Sequence, residues 1–266
     1  MDPDAGIRKV SPSARVNLAG WLFVVFVVAL VEVGVWLFGL DDVVPAPSAT
    51  VRALATELRS GTLSGEIGTT LTSYTEGLAL AILGGVALGI AVGSSRTFRD
   101  ASAVLIEFLR PIPPITFIPL AILFFGLGIP MRRFVIAYAA LWPILINTLY
   151  GVRASDRILH DVARVSRVTG VRRLVRVTLP SALPSIATGV RVSASIALLV
   201  GVTAEFVTGP DGIGAYMQKQ QAAYRLPQMY AAILLTALLG YSINVLLRSA
   251  ERRVVFWSAE ERLARR

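Results

Sequence analysis

Cysteine is missing from the 266-residue chain, histidine occurs once, and lysine occurs only at Lys9 and Lys219. Without a thiol there is no disulfide, thiolate nucleophile, zinc ribbon or iron–sulfur cluster. A single imidazole speaks against a histidine-rich metal centre and against a Ser-His-Asp triad. Charge is scarce too: 16% of residues carry one, where a soluble domain carries about 25%. What fills the space is apolar, with 55% hydrophobic residues and a mean hydropathy of +0.66. So much apolar material excludes disorder, and so little charge cannot clothe a soluble surface. Arginine dominates the positive balance of 26 Lys+Arg against 17 Asp+Glu, a net +9. Such a balance suits nucleic acid or a membrane surface. Apolar runs long enough to cross a hydrocarbon core of about 30 Å decide for the membrane, so nucleic acid is not an expected partner.

Six runs have that length: Leu18–Leu40, Ile67–Gly93, Val104–Leu127, Phe134–Val152, Pro184–Phe206 and Tyr230–Leu247. The first follows Arg8, Lys9 and Arg15 like a signal peptide. It is too long for an h-region, and Asp41-Asp42 follows it in place of small residues, so it reads as a retained helix. The expected fold class is an all-α membrane protein of six transmembrane helices. Residues 1–17 form a cytoplasmic N-terminal segment, 18–250 the six-helix transmembrane domain, and 251–266 a basic cytoplasmic tail. Eighteen of the 26 basic residues fall in the N-terminus, the turn near Arg96, the stretch 153–182 and the tail. Six fall in the alternate connections, Arg132 and Arg133 among them. The positive-inside rule then puts both termini and the 153–182 connection in the cytoplasm.

Between the spans, Pro45-Ala-Pro-Ser precedes Val51, Leu54, Ala55 and Leu58 at helical spacing, which predicts a short helix on the outer side. Gly84, Gly85, Gly89 and Gly93 predict close helix approach. Pro111, Pro113, Pro114 and Pro119 cannot all sit in an undisturbed helix, and broken helix at membrane depth faces a cavity or is packed in protein. Those readings, a solute pathway or a structural kink, both stand. Glu205 is too expensive to face lipid. It either lines the outer mouth or is a buried carboxylate bonded to the Gly209–Gly214 turn. Glu32 and Glu76 have no evident partner in sequence. Arg110 and Arg191 either draw an anion or snorkel to the interface.

The stretch 153–182 is the informative one. Val162, Val165 and Val168 recur every third residue from Asp161 to Thr169, with Arg164 and Arg167 on another face, which predicts a short amphipathic helix. Gly170 permits a reversal. A second amphipathic stretch, Val171, Leu174 and Val175 against Arg172, Arg173 and Arg176, ends at Leu179-Pro180. Pro184 then suits the first turn of the fifth span. Two short helices before Leu-Pro-x-x-Leu-Pro fit either a basic surface held by anionic lipid or a ridge that docks into a partner's groove.

The run from Asp161 to Pro180 resembles the "EAA" loop of the permeases of binding-protein-dependent ABC importers. Anchored on Leu179-Pro180, that pattern puts Asp161-Val162-Ala163 at Glu-Ala-Ala, Val177 at Ile, and Arg167 where the family has Gly. Leu109-Arg-Pro-Ile-Pro-Pro114-Ile-Thr-Phe-Ile-Pro119 with Phe125-Gly-Leu-Gly128 is similar to the third span of the nitrate/sulfonate/taurine branch. Glu205 and Gly209-Pro-Asp-Gly-Ile-Gly214-Ala-Tyr216 resemble that branch after the fifth span. The resemblance runs over roughly residues 45–250. Thr70-Leu-Thr-Ser73 departs from the branch's Ser-Leu-x-Arg.

The resemblance implies the MetI-like fold of a type I importer and a chain that does no covalent chemistry. The chain itself would lie in a bacterial plasma membrane, and its partners would be two cytoplasmic ABC ATPase subunits, a second permease copy or a related permease, and an extracytoplasmic binding protein. Asp161, Val162, Ala163, Arg164, Val165, Arg167 and Gly170 would carry coupling in a cytoplasmic coupling helix, and Leu179 and Pro180 would set its exit angle. Pro111, Pro113, Pro114, Pro119 and Glu205 would belong to the translocation pathway. No cofactor is expected. No Walker A pattern occurs, so ATP would be bound by the partner subunits. The solute would be a small anion of the nitrate, sulfonate or taurine type, with an osmolyte, vitamin precursor or amino acid as the alternative. An ion-coupled secondary transporter is a different class, which favours inverted repeats; none is apparent.

Overall fold

The structure, a computed structural model, describes residues 18–40, 43–154 and 167–254. Its elements are all helical: α1 (Leu18–Phe38), α2 (Pro47–Arg59), α3 (Thr62–Ser94), α4 (Arg96–Leu109), a 3-10 turn (Pro114–Phe117), α5 (Ile118–Phe125) and α6 (Ile129–Arg153). After the connection come α7 (Gly170–Thr208), α8 (Ile213–Ala222) and α9 (Leu226–Val254). Helices α1, α3, α6, α7 and α9 are each long and apolar enough to cross a membrane. Helix α4 and the Pro114–Phe125 piece meet at 88° and together make a sixth, broken span. The all-α, six-span expectation is met in this form; α3, α6, α7 and α9 overrun their apolar windows at both ends, while α1 stops at Phe38 and the broken span at Phe125, short of theirs.

Lipid is as apolar as leucine, so burial of oil against oil cannot drive α3, α6 and α7 together; close packing and buried polar contacts must. On α3, Gly77, Ala81, Gly85, Gly89 and Gly93 recur every four residues. A methyl added at Gly77 would meet the Ile136 side chain at 2.6 Å, one at Gly85 Ile144 at 2.9 Å, one at Gly89 Thr148 at 2.5 Å and one at Gly93 Val152 at 2.9 Å. This stripe lets the two backbones approach along their whole length. Gly84 faces away and has only an ordinary contact at 3.4 Å. On the other side of α6, Gly151 and Gly189 perform the same service for α7, and Ser193 Oγ donates to the Ala140 carbonyl at 2.6 Å.

The outer connection forms the expected helix, α2, with Pro47 in its first turn. Only Leu54 of its four periodic apolar residues is buried; it packs with Leu63, Ile213 and Tyr216. Glu32 of α1 does have a partner. Its carboxylate accepts from Ser48 N at 3.0 Å and Ser48 Oγ at 2.6 Å, at the start of α2, where free N–H groups favour a negative charge. Otherwise α1 lies against little of the bundle and its large side chains from Trp21 to Phe26 are exposed.

One boundary differs from expectation. Pro184 does not open the fifth span; it lies inside a helix that runs unbroken from Gly170. The turn before Pro180 is widened to π geometry over Leu174–Thr178, with Leu179 N donating to Leu174 O. Widening makes room for a residue that has no N–H and whose ring crowds the preceding turn.

Candidate functional site

The four prolines break the third span by occupying positions that lack an N–H partner anyway. Pro113 precedes the 3-10 turn, Pro114 opens it and Pro119 sits in the first turn of α5. Pro111 follows α4 and lines a cavity between α4 and α6. Two of the carbonyls freed by the break have partners. Leu109 O accepts from Ile112 N at 3.2 Å and from Tyr138 Oη at 2.6 Å, and Pro113 O accepts from Thr116 Oγ1 at 2.6 Å. The Tyr138 ring stacks at a tilt on Phe117, centroids 4.5 Å apart, and meets Trp142 edge-on at 5.6 Å. Tyr138 is thus the side chain that holds the break. A tyrosine within an apolar span, needing an acceptor for its hydroxyl, was the available signal.

Glu205 sits elsewhere, in the last turn of α7 and fully buried. Its Oε2 accepts from Thr70 Oγ1 at 2.8 Å and Gly214 N at 3.1 Å, and its Oε1 lies 3.5 Å from Arg132 Nη1. Arg132, in the first turn of α6 and also fully buried, donates to Asp211 Oδ1 at 2.6 Å and to the Asp211 carbonyl at 2.7 Å. Thr70 Oγ1 accepts from Ile213 N at 2.9 Å, and Gly212 N donates to Glu66. The 209–214 loop is therefore tied to α3 through Glu66 and Thr70, to α6 through Arg132 and to α7 through Glu205. Two glycines are required here. A methyl at Gly212 would enter the Glu205 carboxylate, and one at Gly214 would fall on the Val202 carbonyl.

None of the hydrogen bonds or ion pairs of Glu205 reaches the proline segment. The Glu205 side chain does make the bond to the Gly209–Gly214 turn that the structural alternative required. In sequence Arg132 stands out only as a basic residue of an outer connection and Asp211 not at all, although an arginine inside a membrane helix demands a buried partner. Its neighbour Arg133 pairs with Glu76 at 3.0 Å, and Arg191 with Glu251 at 3.1 Å. Next to the cluster, burial first and the nearby Glu57 carboxylate second push the Tyr216 phenol up from its ordinary value.

On the 153–182 connection, Asp161, Val162, Ala163, Arg164 and Val165 lie outside the described residues. Arg167 is an exposed turn residue with φ +53°, and Gly170 starts α7 with φ +58°. The helix foreseen up to Thr169 does not include Arg167, Val168 or Thr169. Leu179 and Pro180 are interior to α7. A cavity of about 400 Å³ lies between Gly93, Ser94 and Val152 on one side and Val171, Leu174 and Thr178 on the other. No group of His, Asp and Glu able to hold a metal occurs among the described residues.

Helices too apolar for water, a broken span and a charged cluster buried between three of them define a multi-pass helical membrane protein. Residues 81–256 match the family described as the binding-protein-dependent transport system inner membrane component. The nitrate import permease of Leptolyngbya laminosa is 32% identical over 199 residues, 74% of this chain and 71% of that one. The taurine transport system permease of Escherichia coli is 30% identical, over 75% of this chain and 72% of that one. A chain of the inward-facing MetNI methionine ABC transporter shares the fold, with a TM-score of 0.63 and 19% identity, over 70% of this chain and 93% of that one. The chain belongs to this family: it is the inner-membrane permease component of an ABC importer.

Proposed function

We propose that this permease passes a small anion of the nitrate or sulfonate type, driven by two cytoplasmic ATPase subunits that grip the 153–182 connection. A second copy of the chain encloses the pathway with it, and an external binding protein delivers the solute. Both termini and the connection face the cytoplasm, while α2 and the 209–214 loop face outward. The broken span and α6 and α7 line the route, with Pro111, Pro113, Pro114 and Pro119 shaping it. Asp161 through Val165, with Arg167 and Gly170, form the contact with the motor.

The observation that carries the coupling is the continuity of α7. The helix begins at Gly170, next to the EAA-like segment, and ends at Thr208, beside the Arg132–Glu205–Asp211 cluster. Its 39 residues span about 58 Å at 1.5 Å per residue. A displacement imposed at its first turn arrives at the other end as a rigid-body motion, which is how closure of two ATPases would switch inward-open and outward-open states. The anion class is supported by the nitrate and taurine permeases among the relatives.

The test is uptake by the reconstituted complex of permease, ATPase and binding protein. Asp161→Arg or Val165→Glu should abolish ATP-dependent uptake while the amount of folded permease in the membrane stays unchanged. Normal uptake in both variants refutes the coupling. Uptake by the chain alone in liposomes under an ion gradient refutes the importer mechanism. Thermal-shift screening of the cognate binding protein identifies the solute, and a ligand that carries no anionic group refutes the anion class.

A further inference from the structure

We propose that the cavity between α4 and α6 is an oxyanion site, built to hold a phosphate-type group at the end of the bundle where α3 gives way to α4. This site lies outside the EAA-like run from Asp161 to Pro180, meets the 153–182 connection at its first residue, Arg153, and does not depend on which solute the permease carries. The cavity has a volume of about 580 Å³, ample for a phosphate and part of what is attached to it. Arg99, Arg110 and Arg153 all line it, and among the described residues Glu107 is the only carboxylate in its wall. Arg110 caps the end of α4 with helical backbone angles and lies eleven residues after Arg99, close to three whole helical turns, so both project on one side of α4. Arg153 closes the ring from the last turn of α6.

Among the described residues, none of these three guanidinium groups has a carboxylate within ion-pair distance, whereas Arg96, Arg132, Arg133 and Arg191 each have one. Three like charges around one concavity repel each other and are stabilised by an anion between them. The guanidinium fork matches an oxyanion with two parallel hydrogen bonds. The floor, from Ile106, Ile146 and Leu149, is apolar and lowers the dielectric there. Tyr150, also in the wall, adds a hydroxyl donor.

On its other face α4 exposes Val104, Leu105 and Phe108. An apolar face beside a basic cavity is the surface of a helix at the boundary between hydrocarbon and headgroups. Two sources therefore offer the same chemistry: the phosphodiester of an acidic phospholipid, with its chains along that apolar face, and a free oxyanion from the aqueous side.

The experiment uses the full-length permease in nanodiscs and follows thermal unfolding. One arm compares phosphatidylcholine discs with discs containing phosphatidylglycerol. The other titrates inorganic phosphate against chloride at equal ionic strength in phosphatidylcholine discs. The proteins are wild type, the triple variant Arg99→Gln/Arg110→Gln/Arg153→Gln, the single Arg110→Lys, and Arg172→Gln/Arg173→Gln as a control for general basic charge. Stabilisation of wild type by phosphatidylglycerol, lost in the triple variant and kept in the control, supports the site with lipid as its source. Stabilisation by phosphate beyond chloride, with the same pattern, supports the site with a free anion. Charge-assisted bonds of this kind make the expected loss of affinity roughly tenfold or more per guanidinium removed. Should the triple variant not fold, Arg110→Lys decides: it keeps the charge and loses the fork, so weaker binding supports the site and unchanged binding overturns it. The proposal is equally overturned if neither ligand shifts wild type, or if the control loses the response as fully as the triple variant.

Discussion

Arg132 is the residue whose removal should matter most, because it leaves Glu205 buried without a counter-charge, whereas loss of Glu205 leaves Arg132 paired with Asp211. The Arg132 and Glu205 side chains have no exposed surface, and Asp211 shares the guanidinium. Breaking a buried pair by deleting one partner costs about 3–5 kcal/mol. Arg132→Met is therefore expected to lower the unfolding temperature sharply in detergent. Arg132→Met/Glu205→Gln should recover part of the loss, since the orphaned charge is gone; equal or greater destabilisation in the double variant would show that the pair is not coupled. Arg167 raises the opposite expectation. Its φ of +53° lies in the left-handed region, which glycine enters freely and a side chain does not. The resemblance to the EAA pattern has glycine at this position. Arg167→Gly should stabilise the chain by about 1 kcal/mol, read as a higher unfolding temperature.

At the scale of elements, the α3–α6 contact and the broken third span were both readable in outline. Glycines spaced by four announced close approach, and the face they share was legible from the period alone. Which glycine packs and which does not was not legible, since Gly84 and Gly85 are adjacent in sequence and only the partner's position separates them. Gly89→Ala should cost about 1–3 kcal/mol by overpacking, because the methyl meets both Thr148 and the Leu145 carbonyl at 2.8 Å. Gly84→Ala should be near neutral in the same thermal unfolding assay. The proline cluster likewise announced a break, but not what heals it. Tyr138→Phe leaves the Leu109 carbonyl without its 2.6 Å partner and should cost about 1–3 kcal/mol. It should also make the segment around Pro113 more open to hydrogen exchange. Pro184 shows why a local rule fails. Proline favours a first turn, yet the π-widened turn upstream let the helix start at Gly170 instead.

Across the whole molecule, sidedness is the quantity on which the proposed mechanism depends. The chain has no cysteine, so single replacements label cleanly. Ser60→Cys, exposed at the end of α2, should react with a membrane-impermeant maleimide from outside in intact cells. Arg173→Cys, at the start of α7, should react only after the membrane is opened. Reversal of that pattern would invert the molecule and remove the connection from the ATPases. Apolar run length, the glycine period, the proline cluster and the arginine bias are local properties of the chain, and each acts within one helix or one connection. They were enough to define a helical membrane protein with about six crossings, one of them broken, and a basic connection between α6 and α7. The Arg132–Glu205–Asp211 cluster, the Tyr138 bond to Leu109 and the arginine-lined cavity join residues from helices far apart in the chain. No periodicity records such pairs, because the requirement that a buried charge find its counter-charge is met only when packing has chosen which helices are neighbours.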